Sequence, residues 1–465
     1  MVRVINQDTF DDAVKENISE FGMDVEEAIA DAVKQFEAQG VDLGNIIKDM
    51  TNLTTSNTEE LNEVLDKLSK FAKELGLVTP LEIIEQLHVL KNECDKGLPN
   101  RVCAGKQGAY DVLLDIISKA NQSVDVIIEG LKTLTSLMTK QPDLLNDSGV
   151  QLMTGLLTPE QDYNVQMALL RWIKECCAMH ENNRQNIFNA QILEYLKPIL
   201  EKADSLLLRN VLGVLRALVL DDDVRVEFGR AHEHARAIAS DALCIITQSL
   251  TKFKEDELLV NDILLTLSSL LVRTEFCKEV EDVGGLDTIR DTMIIFQTRN
   301  KLMRQCFKVL KALAGNDEVK IHIIQKHLAP IILSAVNVHK NSSATATLGL
   351  SCIAALTLRC PENSKAFFEA GAPEVIIDCM KLHPDDAGIQ KNASWAIRNM
   401  VSRSNYQCNK FLEMGVESIL KINLKKFVQH EFDTKSALMV LGCKVKLREE
   451  WTGKGGRIST QAKNE

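Results

Sequence analysis

A motif that repeats about every forty residues constrains this chain more than any other feature. In its reference copy, residues 362–400, a short apolar helix ends at Gly371, a second helix starts at once, and a third follows a Pro-Asp-Asp break. Equivalent corners between first and second helices recur every 41–44 residues, with one step of 52, at Gly108, Gly149, Gln191, His232, Gly284, Leu328, Gly371 and Gly415. Glycine suits such a corner because a sharp turn between helices commonly needs a positive φ. A period of this length predicts a solenoid.

The apolar residues of the chain favour helices over strands. Aromatic residues make up only 5% of the 465 residues, and most of the apolar content is Leu, Ile, Val and Ala. The predicted third helices carry apolar residues at i, i+3 or i+4, and i+7, as expected of a helix buried between two neighbours. We therefore predict an all-α protein without a sheet. The step of 52 residues contains HEHARAIAS and predicts an insertion or a lengthened helix.

Changes in pattern divide the chain into five segments. Residues 1–50 are strongly acidic but repeat apolar residues at helical spacing, so they predict two short amphipathic helices, with Asp24 and Glu27 as an N-cap pair. A Thr/Asn/Ser-rich linker at 51–57 and a helical N-terminal cap at 58–100 follow, the second cap helix starting at Thr79-Pro80. We place the solenoid at 101–448 and a polar C-terminal tail at 449–465, which lacks periodicity.

Charge and hydropathy argue against several classes of partner. A net charge of −11 opposes binding to a phosphate backbone, so we expect no nucleic acid. The longest apolar runs are too short and interrupted to cross a bilayer, and no secretory signal is evident. The 12 cysteines are scattered, which is typical of reduced, buried thiols. We expect a monomer in the cytoplasm, with the nucleus as the alternative.

No motif for catalysis, a metal or a cofactor is evident, so we predict a non-enzymatic protein. His232 and His234 are two residues apart and point to different helix faces. Asp221, Asp222 and Asp223 lack the spacing of a calcium loop and predict a solvated turn. Cys176 and His180 share a helix face, but no second ligand pair accompanies them, which favours a structural thiol.

The corner glycines, the period and the helix containing Trp395 and Asn399 resemble the armadillo-repeat family over residues 101–445. The text TFDDAVKENISEFGMDVEEAIADAVKQFEAQGVDL further resembles the armadillo repeat-containing protein 6 family, whose members are helical solenoids without an assigned enzymatic activity. HEAT repeats have a similar length but two helices and no glycine corner. The resemblance implies a right-handed superhelical solenoid of about eight three-helix repeats with a helical N-terminal extension, and a non-enzymatic interaction protein.

The concave groove formed by the third helices is the candidate binding site. In the armadillo family a Trp-x-x-x-Asn arrangement lines this groove, but here Trp395 and Asn399 form the only intact pair of the eight repeats. Cations are more frequent at the neighbouring positions. The predicted groove residues are Lys132, Arg171, Lys174, Arg216, Lys308, Lys311, Trp395, Arg398 and Asn399. Arginine can bind carboxylates through two hydrogen bonds, so we expect an acidic partner segment; the alternative is that these are unrelated solvated cations.

Two function classes remain open. The first is a scaffold or adaptor that binds a protein or peptide in the groove. The second is a regulator of a partner's state, such as a small-GTPase regulator or a client-specific chaperone. A further hypothesis is that the acidic residues 1–50 fold back into the groove and compete with partners.

Overall fold

The computed structural model is helical throughout most of the residues that it describes, namely 3–5, 7–44, 46, 48, 55–73, 78–120, 123–402 and 404–445. The chain divides into two compact units, Met1–Ala242 and Leu243–Glu465. The all-α prediction is confirmed, since the described strands are two residues long. The predicted tail at 449–465 and residues 51–54 of the predicted linker lie outside the described residues.

The first unit begins with a small helical segment. The chain passes in order through β1 (Arg3–Val4), α1 (Gln7–Phe21), α2 (Val25–Ala38) and β2 (Val41–Asp42). The two strands pair in parallel. The side chain of Asp24 accepts a hydrogen bond from the backbone N–H of Glu27, as predicted. The segment has its own apolar cluster, formed by Phe10, Val14, Ala28, Ala32, Val41, Leu43 and Ile46.

The rest of the first unit consists of helices that pack in series. They are α3 (Thr55–Lys73), α4 (Pro80–Asp95), α5 (Leu98–Lys106), α6 (Ala109–Lys119), α7 (Val124–Met138), a 3-10 turn (Pro142–Leu144), α8 (Asp147–Leu156), α9 (Tyr163–Cys177), α10 (Glu181–Asn189), α11 (Ile192–Lys202), α12 (Ser205–Leu218) and α13 (Ala231–Lys252). Helix α3 starts inside the predicted linker, and α5 starts before the predicted solenoid boundary at residue 101. Thr79 and Glu82 form a capping box at the start of α4.

The second unit continues the same pattern beyond α13, which contains the division between the units. Its helices are α14 (Glu257–Leu270), α15 (Thr274–Asp282), α16 (Gly285–Ile295), α17 (Asn300–Leu313), α18 (Asp317–Gln325), α19 (Leu328–Val338), α20 (Ser343–Thr357), α21 (Pro361–Glu369), α22 (Ala372–Leu382), α23 (Ala387–Val401), α24 (Asn405–Glu413), α25 (Val416–Lys426), a 3-10 turn (Val428–His430) and α26 (Glu431–Val440). No described helix alone is long and apolar enough to cross a membrane; the pair α18 and α19 reaches that length only across an 80° bend.

Within each unit, the third helix of a repeat packs on the third helix of the next repeat. In the first unit the series is α4, α7, α9 and α12, and in the second it is α14, α17, α20, α23 and α26. Eight repeats can be counted from α5 to α26 within the described residues, in agreement with the prediction. In two of them the first helix is not an α-helix: one has the 3-10 turn at 142–144, and the other an irregular segment at 219–230.

Six corners adopt the left-handed backbone conformation that the glycine pattern predicts. Four of them are glycines, and the other two are Gln191 with φ 58° and His327 with φ 61°. The corner predicted at Leu328 is therefore displaced by one residue. The glycine corners are Gly108, Gly284, Gly371 and Gly415.

The corners predicted at Gly149 and His232 are wrong. Gly149 lies within α8, where an added Cβ would overlap the hydroxyl of Tyr110, so glycine serves close packing at this position. His232 lies within α13, whose 22 residues confirm the predicted lengthened helix. Neighbouring His234 is buried, donates from Nδ1 to the Leu218 carbonyl at 3.0 Å, and stacks on Phe188.

The corner conformation leads to a prediction about stability. A non-glycine residue in the left-handed region costs about 1 kcal/mol or more, so Gln191→Gly should raise the free energy of unfolding by about that amount. Gly371→Ala should lower it by a similar amount, because φ there is 92°. Urea unfolding of the two variants measures both effects, and changes of the same sign in both would contradict the assignment.

Candidate interaction surface

Four cations lie along one side of α17. Lys301, Arg304, Lys308 and Lys311 are spaced i, i+3, i+7 and i+10, which places them on one face of a helix. The opposite face is apolar and buried, with Phe307 among its fully buried residues. Lys301 and Lys311 are exposed, whereas Arg304 and Lys308 are half-buried. Among the described residues, Nε of Arg304 is buried and has no hydrogen-bond partner.

Helix α20 lies beside α17 and contributes a surface of small, uncharged side chains. Its sequence, SATATLGLSCIAALT, contains no charged residue. An added Cβ at Gly349 would overlap Cγ2 of Val336, so glycine allows α20 to lie close to α19. Thr347, Leu348 and Ala355 remain half-buried at the surface. These side chains are shorter than the lysines and arginines of the two flanking helices. A partner can therefore approach α20 between α17 and the next third helix, α23.

Helix α23 carries two further cations, Lys391 and Arg398, before and after Trp395 in the sequence. Nζ of Lys391 lies 4.7 Å from the centroid of the Trp395 ring. Arg398 donates from Nε and Nη2 to Oδ1 of Asn399, at 3.2 and 3.3 Å. Nδ2 of Asn399 in turn donates to the Ala354 carbonyl of α20 at 2.8 Å. Asn399 therefore orients the Arg398 guanidinium and ties it to the neighbouring helix.

Together, α17, α20 and α23 form a surface that we call the cationic face. Its charged residues are Lys301, Arg304, Lys308, Lys311, Lys391 and Arg398, and the three helices contain no Asp or Glu. The whole chain, in contrast, has a net charge of −11. Such a local excess of positive charge attracts anionic groups over a range set by the salt concentration.

The structure places the predicted groove residues of the second unit on this face, but it gives them different surroundings. Lys311 is exposed, and Lys308 and Arg398 are half-buried. Trp395 donates its indole N–H to Asp433 of α26, and the Asn399 amide is bonded to α20 and to Arg398. The polar groups of this pair thus join neighbouring helices, and a role of the pair in binding a partner stays a prediction.

The predicted groove residues of the first unit lie among carboxylates. Lys132 forms an ion pair with Glu129 at 2.7 Å, and Glu129 also contacts His88. Arg171 and Lys174 are exposed on α9, whose last turn also carries a glutamate. The Lys174 stem lies over Gly213 of α12, and the predicted Arg216 is half-buried on the same helix. Mixed charge makes this surface a weaker attractor for an acidic partner.

Sequence reasoning missed three of the six cations on the cationic face. It compared one helical turn per repeat and so omitted Lys301, Arg304 and Lys391, which lie one or two turns earlier on the same helices. Reading each third helix over its full length at i, i+3 and i+7 spacing would have found them.

The N-terminal segment meets the turns between repeats. Ile5 and Ile46 line a cavity of about 360 Å³ together with Leu98 and Val102 of α5 and with the residues that follow α7, α9 and α12. The acidic segment therefore lies against the turns between helices of these repeats. We do not propose that it folds back into the groove formed by the third helices.

The remaining polar candidates have structural partners. Sγ of Cys176 is buried beside Sδ of Met138, and burial raises the pKa of the adjacent Cys177 thiol to about 12. Nε2 of His180 lies 2.9 Å from Oδ1 of Asp143. Within the described ranges, no group of three His, Cys, Asp or Glu residues is arranged to hold a metal ion.

The sequence matches profiles and proteins of one family over nearly its full length. The ARMC6 profile matches residues 61–460, and the armadillo repeat-containing protein 6 N-terminal domain matches residues 2–63. The armadillo repeat-containing protein 6 homolog of Drosophila melanogaster is 42% identical over 97% of this chain and 98% of its own. Armadillo repeat-containing protein 6 of Homo sapiens is 33% identical over 98% of this chain and 94% of its own.

Solved structures with the same fold have low sequence identity. An engineered protein superposes with a TM-score of 0.69 at 16% identity, covering 95% of this chain and 100% of its own. A structure from work on a phosphorylation switch in the interaction between cadherin and beta-catenin has a TM-score of 0.58 at 14% identity. It covers 77% of this chain and 66% of its own. These similarities show an armadillo-type helical solenoid.

Proposed function

Because this chain belongs to the armadillo repeat-containing protein 6 family, and because its armadillo-repeat fold suggests a protein-interaction scaffold, we propose that it binds an acidic segment of a partner protein on the cationic face. Folds of this type are typically non-enzymatic. The interaction between cadherin and beta-catenin named for one structural neighbour is an example of protein recognition in this fold class.

The observation that carries this proposal is that three neighbouring third helices of the second unit carry only positive charges. Six cations and no carboxylate lie on α17, α20 and α23. Complementary charge of this kind accelerates association and excludes partners of like charge. The guanidinium groups of Arg304 and Arg398 can donate to carboxylates in a fixed, bidentate geometry.

A protein segment fits this surface better than a nucleic acid does. The cations are confined to three adjacent helices, whereas the net charge of −11 repels a long polyanion elsewhere. Helix α20 adds a low, uncharged strip between the two cationic helices, on which the backbone and short side chains of a peptide can lie. The partner is therefore expected to place carboxylates on both sides of a less polar stretch.

The experiment is a comparison of two labelled peptides of about ten residues, one rich in Glu and Asp and the other with Lys at the same positions. The acidic peptide should bind to the full-length protein, and its affinity should fall by roughly tenfold between about 50 and 300 mM salt, because screening weakens exposed ion pairs. Fluorescence anisotropy measures both. Equal binding of the acidic and basic peptides would overturn the proposal.

A further inference from the structure

An asparagine at the third position of some first helices joins consecutive repeats. Nδ2 of Asn183 in α10 donates to the carbonyls of Cys176 and Pro142, at 2.9 and 2.7 Å. Nδ2 of Asn363 in α21 makes the same two kinds of bond, to Leu356 and Lys320, both at 2.9 Å. In each case a single buried amide satisfies one carbonyl at the end of the preceding third helix and one in the preceding first helix.

Gln407 occupies this position in α24 and does not make those bonds. It is the third residue of α24, as Asn363 is of α21, and its side chain is 1% exposed. Its Nε2 donates to the hydroxyl of Tyr406 at 3.2 Å, and its buried Oε1 has no partner among the described residues. The longer side chain thus leaves a buried acceptor without a donor, which lowers stability.

The start of α24 has a second group without a partner. Ser404 is at the N-cap position, but its side chain makes no cap hydrogen bond, and its buried Oγ has no partner among the described residues. The first N–H groups of a helix need an acceptor, and an anion satisfies them well. A carboxylate placed at this helix start would accept hydrogen bonds from these N–H groups and would lie close to Ser404.

Both groups line one cavity of about 190 Å³ between α21, α23 and α24. Arg359 and Lys365 also line it, with Nζ of Lys365 3.8 Å from Glu369, and none of the lining residues that the structure describes is a carboxylate. The volume is below the roughly 300–1,000 Å³ of pockets that enclose a whole small ligand. The cavity therefore suits one residue of a longer chain. Asn399, which accepts the hydrogen bonds of Arg398, is part of the lining, so the cavity adjoins the cationic face.

We propose that this cavity binds the C-terminal residue of the acidic partner segment. A peptide C-terminus combines a carboxylate with an N–H donor a few ångströms away. The carboxylate would accept hydrogen bonds from Arg359, Lys365, Ser404 and the N-terminal turn of α24, and the N–H would donate to Oε1 of Gln407. This inference rests on the proposed function, because it places the end of the same segment.

The test compares one acidic peptide in two forms, with a free C-terminus and with a C-terminal amide. Amidation should weaken binding to the full-length protein by at least about tenfold, because it removes charge-assisted hydrogen bonds. In Gln407→Asn the shorter amide can bond the carbonyls of Met400 and Ser364, as Asn363 does one repeat earlier. This variant should remain folded and should bind both peptides more weakly than the wild-type protein does, because it withdraws the acceptor of the peptide N–H, whereas Arg359→Gln should reduce the preference for the free C-terminus.

The outcomes separate this inference from the proposed function. Equal affinity of the two peptides for the wild-type protein would overturn the cavity proposal and leave the cationic face intact. A preference for the free C-terminus that is undiminished in Arg359→Gln, or an unchanged affinity for both peptides in Gln407→Asn, would also overturn it. If neither peptide binds to the wild-type protein, both proposals are wrong.

Discussion

Replacement of Arg184 by methionine is expected to lower the free energy of unfolding by about 3–5 kcal/mol, the usual cost of breaking a buried ion pair. Arg184 is 1% exposed, and its Nε donates to Glu181 at 2.9 Å. Its Nη1 donates to Asp222 and to the Cys177 carbonyl. Without the guanidinium, Glu181, itself 1% exposed, becomes a buried charge without its main counterion.

The same ion pair holds the irregular segment 219–230 in place of a missing first helix. Oε1 of Glu181 accepts the backbone N–H of Arg230 at 2.6 Å, and the backbone N–H of Glu181 donates to Asp223 at 2.8 Å. Asp223 is buried, so the expectation of a solvated turn at Asp221–Asp223 is wrong for this residue. In Arg184→Met, amide hydrogen exchange in this segment should therefore increase together with the loss of global stability.

Arg225 provides a matched control, because it lies in the same segment and bonds Asp143 and Asp223 with 39% of its side chain exposed. Arg225→Met should cost less, about 1–2 kcal/mol, because its guanidinium is partly solvated and the buried carboxylate of Asp223 keeps the backbone N–H groups of Glu181 and Arg225 as donors. Adding Glu181→Gln to Arg184→Met should recover part of the loss, since it removes the unpaired charge and keeps an acceptor for Arg230. Similar costs for Arg184→Met and Arg225→Met would mean that the buried network contributes little.

The helical repeats were predictable because their signals are local. Capping at Asp24 and Thr79 and positive φ at the glycine corners depend on a few neighbouring residues, and the structure confirms them. Gly149 was misassigned because its glycine is required by contact with Tyr110, which is distant in sequence. The irregular segment 219–230 is bonded to Arg184 and Glu181, also distant in sequence, so the sequence indicated only an irregular spacing.

The binding surface was harder to predict, because it depends on which side chains already have partners. Sequence spacing alone cannot show that Trp395 bonds Asp433 of α26, or that Asn399 bonds the backbone of α20. Both residues are used within the solenoid, although their spacing is typical of a peptide clamp. Likewise, Oε1 of Gln407, which has no partner in the part of the chain that the structure describes, is noticed only when its contacts are compared with those of Asn363.

The double charge reversal Lys308→Glu/Lys311→Glu is expected to weaken binding of an acidic peptide by roughly thirtyfold, or about 2 kcal/mol. Each solvated ion pair contributes up to about 1 kcal/mol, and reversal replaces attraction by repulsion of similar size. Lys311 is exposed and Lys308 half-buried on α17, with apolar packing confined to the opposite side of the helix. The variant should therefore keep the thermal stability of the wild-type protein to within a few degrees.

The matched control is Lys381→Glu/Lys425→Glu, which changes the net charge equally at exposed lysines of α22 and α25, outside the cationic face. The decisive measurement is the dissociation constant of the acidic peptide for the wild-type protein and both variants at one salt concentration. We predict the thirtyfold loss in Lys308→Glu/Lys311→Glu and less than a threefold change in the control. Equal losses in the two variants would show that only net charge matters and would contradict binding at the cationic face.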